Sequence, residues 1–276
     1  MAFLQVQFFS AALNVASTAN VILPEVNQGV GIKASSEREL PDVLYLLHGY
    51  SDDHSIWMRR TSVERYAAAH NLAVIMPAVN HSFYCNEAYG ENYWDYVSEE
   101  LPAVMHRFLR LSDDPVRTFV AGLSMGGYGA MRLALTYPER FGAAASFSGV
   151  VDYTQDIHRN HPNKELYRIF GDIREIWNSD VDIRHLMEKN AGAPRKPRLY
   201  VSCGTADFLY PMHQHFVPAL KENGWDVTAF EKEGVGHEWG FWDEQIRAFI
   251  DFIYAPEEDK SQKSSNKKMP AAEVGE

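Results

Sequence analysis

Six residues, Gly122-Leu123-Ser124-Met125-Gly126-Gly127, constrain this chain more than any others. They follow an apolar strand candidate at 118–121 and open a segment of helical periodicity at 126–136. A serine on so tight a strand-to-helix turn is held in a strained backbone, so the residues two before and two after it must lack bulk. Gly122 and Gly126 meet that demand. The turn lifts the hydroxyl out of the sheet, and the helix behind it aims its first amides at the same spot. An ordinary serine in a glycine-rich turn is the alternative, and the flanking strand and helix argue against it.

The rest of the chain alternates in the same way. Short apolar runs at 43–47, 72–76, 143–147 and 198–203 read as strands buried on both faces, with a further strand at 226–231. Helices are expected between and after them at 62–70, 93–111, 216–223 and 244–254. That order predicts an α/β architecture, a mostly parallel central sheet flanked by helices, of the α/β-hydrolase fold. Two leading strands, near 4–8 and 17–23, read as an antiparallel edge. The chain of 276 residues is long enough for one such domain, placed at 1–255. No strand signal appears between 152 and 197, where helical pieces at 164–170 and 181–190 suggest a small helical cap. The stretch 256–276 mixes charges with few large apolar residues and reads as a disordered tail.

A serine hydroxyl needs a base. Of eleven histidines, His237 lies in Glu233-Gly234-Val235-Gly236-His237, a loop after the last strand, where two glycines let the imidazole turn toward Ser124. The acid that orients it is expected at Asp207, directly after the strand at 198–203, with Asp152 as competitor after the neighbouring strand. Two backbone amides should hold a developing oxyanion, those of Met125 and, from His48-Gly49-Tyr50, of Tyr50. The His48 side chain is expected to brace that loop. Among the aromatic residues near these loops, Trp57, Phe208 and Trp239 are taken as substrate-binding candidates.

Charge and ligand patterns exclude other classes. With 26 basic and 37 acidic residues the net charge is −11, which argues against nucleic acid as a partner. His237-Glu238-Trp239-Gly240-Phe241 lacks the second histidine of a zinc helix, and His213-Gln214-His215 has no third ligand nearby, so no metal and no cofactor is expected. Two cysteines, Cys85 and Cys203, make no disulfide framework. No leader pattern opens the chain, and no apolar run reaches a membrane span, so a cytoplasmic protein without membrane partners is expected. A homo-oligomer is left open.

The blocks VLYLLHGYSDDHSIW, TFVAGLSMGGYGAMRLAL, ASFSG, CGTADFLY and GHEWGFW together resemble the esterase D-type "putative esterase" family of α/β hydrolases. The likeness is greatest to the bacterial tributyrin esterases, and it spans residues 3–254. It implies Ser124, Asp207 and His237 as a triad and the Tyr50 and Met125 amides as oxyanion hole. It also implies a small-molecule ester substrate with a short acyl chain: tributyrin, aryl acetates, or acetylated or feruloylated carbohydrates. S-formylglutathione hydrolases are more distant relatives, so a thioesterase is one alternative. A non-catalytic protein holding a carbohydrate or partner on this fold is another.

Overall fold

The computed structural model describes residues 1–25, 39–151, 164–172 and 175–255. Its centre is one eight-stranded sheet: β1 (Ala2–Ser10), β2 (Val15–Leu23), β3 (Asp42–Leu47), β4 (Leu72–Pro77), β5 (Thr118–Leu123), β6 (Ala143–Phe147), β7 (Arg198–Gly204) and β8 (Val227–Lys232). The spatial order is β1-β2-β4-β3-β5-β6-β7-β8. β1 and β2 are antiparallel, β2 joins β4 antiparallel, and every later pairing is parallel. The expected antiparallel edge is therefore present.

The central strands are apolar throughout because both faces are covered. Val43, Tyr45 and Leu47 of β3 point into one core and Leu44 and Leu46 into the other. The first core is roofed by three long helices. One is α3, formed by Tyr93–Asp95, a π-helical turn Tyr96–Glu100, and Leu101–Phe108; the others are α4 (Met125–Thr136) and α7 (Tyr210–Glu222). The second is roofed by α1 (Ile56–Arg60), α2 (Val63–Ala67) and α8 (Trp239–Tyr254).

Two helices start earlier than the sequence suggests. α7 begins at Tyr210, with Pro211 in its first turn, where proline's missing N–H costs nothing. The His213-Gln214-His215 run consequently lies within the helix, not at its start, and His213 is buried. α8 begins at Trp239, with Gly240 inside its first turn.

Within the expected cap, α5 (Lys164–Phe170) and α6 (Ile183–Lys189) are described, while 152–163 and 173–174 lie outside the described residues, as does the tail at 256–276. α6 is fastened to α4: Tyr128 Oη donates to the Val181 carbonyl at 2.7 Å and Arg132 Nε to that of Asp180 at 3.0 Å. Ile183, Leu186 and Met187 sit in the first core. Among the described residues no helix is long and apolar enough to cross a membrane.

Candidate active site

β5 ends at Leu123 and α4 begins at Met125, so the chain reverses at Ser124 alone. Ser124 holds φ 52° and ψ −116°, a region that a side chain with Cβ avoids. The turn closes because two neighbours have no side chain. A Cβ on Gly122 would lie 2.2 Å from the Gly126 carbonyl oxygen, and one on Gly126 would lie 2.4 Å from that of Leu47. The Ser124 N–H donates to the Phe147 carbonyl at 2.9 Å, which ties the turn to β6. Met125 then opens α4, so its N–H is one of the first amides with no intrahelical acceptor.

The loop after β3 lies against this turn: a Cβ on Gly49 would meet Leu123 Cδ1 at 2.6 Å. His48 is buried and fixes the loop from both ring nitrogens. Nε2 accepts from the Val79 N–H at 3.1 Å, and Nδ1 donates to the Gly49 carbonyl at 2.7 Å. One accepting and one donating nitrogen require the neutral ring. Burial lowers the His48 pKa to about 4, against the opposing pull of the Gly49 carbonyl. The expected brace is what the geometry shows. Tyr50 follows; its N–H hydrogen-bonds to no described residue, and its ring stacks on His81 at 4.3 Å.

The candidate acid and base follow the last two strands of the sheet, β7 and β8. Asp207 lies just beyond β7 and is buried, and its Oδ2 accepts from His237 Nδ1 at 2.8 Å. Its Oδ1 accepts from the Leu209 N–H at 2.9 Å. Burial pushes this carboxyl up, yet hydrogen bonds from His237, the Leu209 amide and Ser148 outweigh it and leave the pKa below the usual carboxylate value. The bond to Asp207 directs Nε2 of His237 away from the carboxylate. The Ser124 hydroxyl makes no hydrogen bond to a described residue; serine–histidine contacts of this kind commonly tighten only on substrate binding. Asp152, the competing acid, lies outside the described residues.

The three aromatic candidates separate. Phe208 is 60% exposed with its ring 4.8 Å from that of His237. Trp239 is half-buried and meets Trp242 edge-on at 5.2 Å. Trp57 is 1% exposed, its Nε1 donates to the Leu47 carbonyl at 3.0 Å, and it packs against Phe147, so it leaves almost no surface for a ligand.

Sequence reasoning missed Ser148 as a site residue. It sits one position past β6 at φ 47°, in the ASFSG block, and its Oγ accepts from Trp242 Nε1 at 3.2 Å while also serving Asp207. Trp242 in turn packs its ring edge-on against His237 at 4.7 Å. Ser148 therefore links the base's aromatic wall to the acid.

The chain matches the family described as "Putative esterase" over residues 10–250. It belongs to this esterase family. The esterase is 31% identical over 255 residues to an acetyl esterase of Caldicellulosiruptor saccharolyticus, covering 89% of this chain and 96% of that one. Among solved structures it resembles FphF, a fluorophosphonate-binding serine hydrolase of Staphylococcus aureus, with 33% identity and a TM-score of 0.81. It also resembles the S-formylglutathione hydrolase FrmB of the same organism, with 33% identity and a TM-score of 0.79. Each alignment covers 91% of this chain and 98% of the other. The esterase is thus a carboxylic ester hydrolase with the α/β-hydrolase fold.

Proposed function

We propose that this esterase hydrolyses short-chain acyl esters through an acyl-enzyme on Ser124, with His237 as base and Asp207 as its orienting acid. The observation that carries the reading is the 2.8 Å bond from His237 Nδ1 to buried Asp207, on the loops beside the strained Ser124 turn. Ser124 Oγ attacks the ester carbonyl and gives its proton to His237 Nε2. The Tyr50 and Met125 amides receive the oxyanion. As the tetrahedral intermediate collapses, His237 returns the proton to the leaving alcohol. Water then repeats the sequence on the acyl-enzyme and frees the acid. Similarity to an acetyl esterase supports a short acyl chain, and exposed Phe208 beside His237 supports an open, partly aromatic alcohol side.

The test is initial rates on p-nitrophenyl acetate, butyrate and octanoate and on feruloyl methyl ester, with wild type and Ser124→Ala. Turnover should fall steeply beyond butyrate, and Ser124→Ala should lose about 10⁶-fold, the loss found for the nucleophile of subtilisin. Substantial activity in the pure variant would sink the mechanism. A second reading, a thioesterase, is favoured by the 33% identity to the S-formylglutathione hydrolase FrmB. A kcat/KM on S-formylglutathione more than tenfold above that on the best oxygen ester would transfer the assignment to it.

A further inference from the structure

The loop after β4 reaches the loop after β3 by a strained path. Phe83 and Tyr84 follow one another at φ 50° and 54°, with Asn80 at 48° shortly before them. Two aromatic side chains in succession avoid that left-handed region, so the surroundings must hold the segment there. Two buried side chains do so, Ser82 and Arg132. The Tyr84 N–H donates to Ser82 Oγ at 3.1 Å, and Arg132 of α4 donates from Nη1 to the Tyr84 carbonyl at 3.0 Å.

The path delivers the Tyr84 ring between α4, the helix that Ser124 opens, and the loop after β3. Tyr84 is wholly buried, and a Cβ on Gly129 of α4 would lie 2.6 Å from its ring. Its Oη donates to the His48 carbonyl at 2.9 Å. Burial holds this phenol well above its ordinary pKa, so it stays a neutral donor. Phenylalanine would fill the same space; the hydroxyl is the part that grips the loop.

Peptide geometry gives that grip a direction. A trans peptide is planar, with its carbonyl and N–H pointing opposite ways. The Gly49 carbonyl accepts from His48 Nδ1 at 2.7 Å and from the Asp52 N–H at 3.2 Å. The N–H of that same peptide is Tyr50's, so these two donors set where it points. The His48 carbonyl, one peptide earlier, lies against α4, where a Cβ on Gly126 would be 2.7 Å away. Tyr84 thus holds the first of two consecutive carbonyls, and His48 the second.

We propose that Tyr84 is a positioning residue for ester hydrolysis: its hydroxyl, carried by the strained 80–84 segment, fixes the His48 carbonyl and so aims the Tyr50 N–H at the oxyanion. Without that bond the His48–Gly49 peptide can tilt against α4, and the Tyr50 N–H tilts with it. This role presupposes the Ser124 mechanism and the Tyr50 amide as oxyanion donor.

Tyr84→Phe removes the hydroxyl alone. The control for lost stability is Tyr254→Phe, which removes a bond to Asp42 at the opposite end of β3. On p-nitrophenyl acetate, Tyr84→Phe should lose about tenfold or more in kcat with KM little changed, while Tyr254→Phe keeps the wild-type kcat. 1-Butaneboronic acid forms a tetrahedral adduct on a catalytic serine and puts an oxygen in the oxyanion site. Its inhibition constant should rise by a similar factor in Tyr84→Phe only. Unchanged kcat and boronate affinity in Tyr84→Phe, a change confined to KM, or equal losses in both variants would each overturn the proposal. If Tyr84→Phe does not fold, Ser82→Ala, which removes the acceptor of the Tyr84 N–H, decides the matter. Lower kcat with weaker boronate inhibition in it supports the role, and unchanged values overturn it. Failure of the underlying mechanism reads differently: wild type would resist the boronate, or Ser124→Ala would stay active, and the role of Tyr84 falls with it. Normal inhibition of wild type beside an indifferent Tyr84→Phe fails Tyr84 alone.

Discussion

At the scale of single residues, the site depends on side chains held in one protonation state. His48 binds with one nitrogen donating and the other accepting, and its pKa of about 4 lies below the ordinary 6.5. Between those values the unfolded chain takes up a proton that the folded one refuses. The stabilisation is therefore complete above about pH 6.5 and is lost as pH falls toward 4, a difference of about 3 kcal/mol. Urea midpoints at pH 7 and pH 4.5 should show this fall in wild type and a visibly smaller one in His48→Gln. Equal falls would mean that His48 is not the titrating brace. Asp207 acts in the same direction at lower pH, since its depressed pKa makes its contribution vanish as it protonates. Ser148→Ala removes a hydrogen bond from Asp207 and an acceptor from Trp242, and should lower kcat about tenfold with little change in KM. A shift confined to KM would place Ser148 in substrate binding instead. Neither role is visible in sequence. Ser124, Asp207 and His237 could be nominated because glycines and strand ends surround them in the order serine, acid, histidine; Ser148 also follows a strand end and precedes a glycine but has no place in that order, and Trp57 gives no sign of its burial.

At the scale of elements, α5 is held by several ties, among them backbone bonds from Ala88 and Tyr89 and one ion pair to a buried carboxylate. Arg168 on α5 pairs with Glu87, whose side chain is almost wholly buried in the loop after β4 and also accepts from the Glu91 N–H at 3.1 Å. Removing Arg168 leaves that carboxylate without its cation, at a cost of about 3 kcal/mol. Arg168→Ala should accordingly lower Tm and speed amide exchange in α5 more than in α4. Unchanged exchange in α5 would show that the pair does not hold it. Strands β3 to β7 were readable because burial on both faces makes them continuous apolar runs. The starts of α7 and α8 were not, because Pro211 and Gly240 look like stops although each occupies a first turn that tolerates it.

At the scale of the molecule, the end of the sheet remote from Ser124 is clamped by the last described helix. Tyr254 Oη donates to Asp42 Oδ2 at 2.8 Å, Arg117 Nε donates to Oδ1 of the same carboxylate at 2.5 Å, and His70 stacks on Tyr254 at 4.0 Å. α8, β3 and the turn before β5 thus meet on one aspartate. Tyr254→Phe should cost about 1 kcal/mol, or about 2–4 °C in Tm, and leave kcat untouched. A change in kcat would mean that the clamp communicates with the distant strand ends.

The pairing of β2 with β4 also bears on how the chain is made. The β1–β2 hairpin leaves the ribosome before the strand it must join, which follows roughly fifty residues later, several seconds at ordinary elongation rates. Ser124 is translated well before Asp207 and His237, and α8, which closes the second core, comes last among the described elements. Every nascent chain therefore passes through a stage in which the Ser124 turn has been synthesised and neither Asp207 nor His237 yet exists.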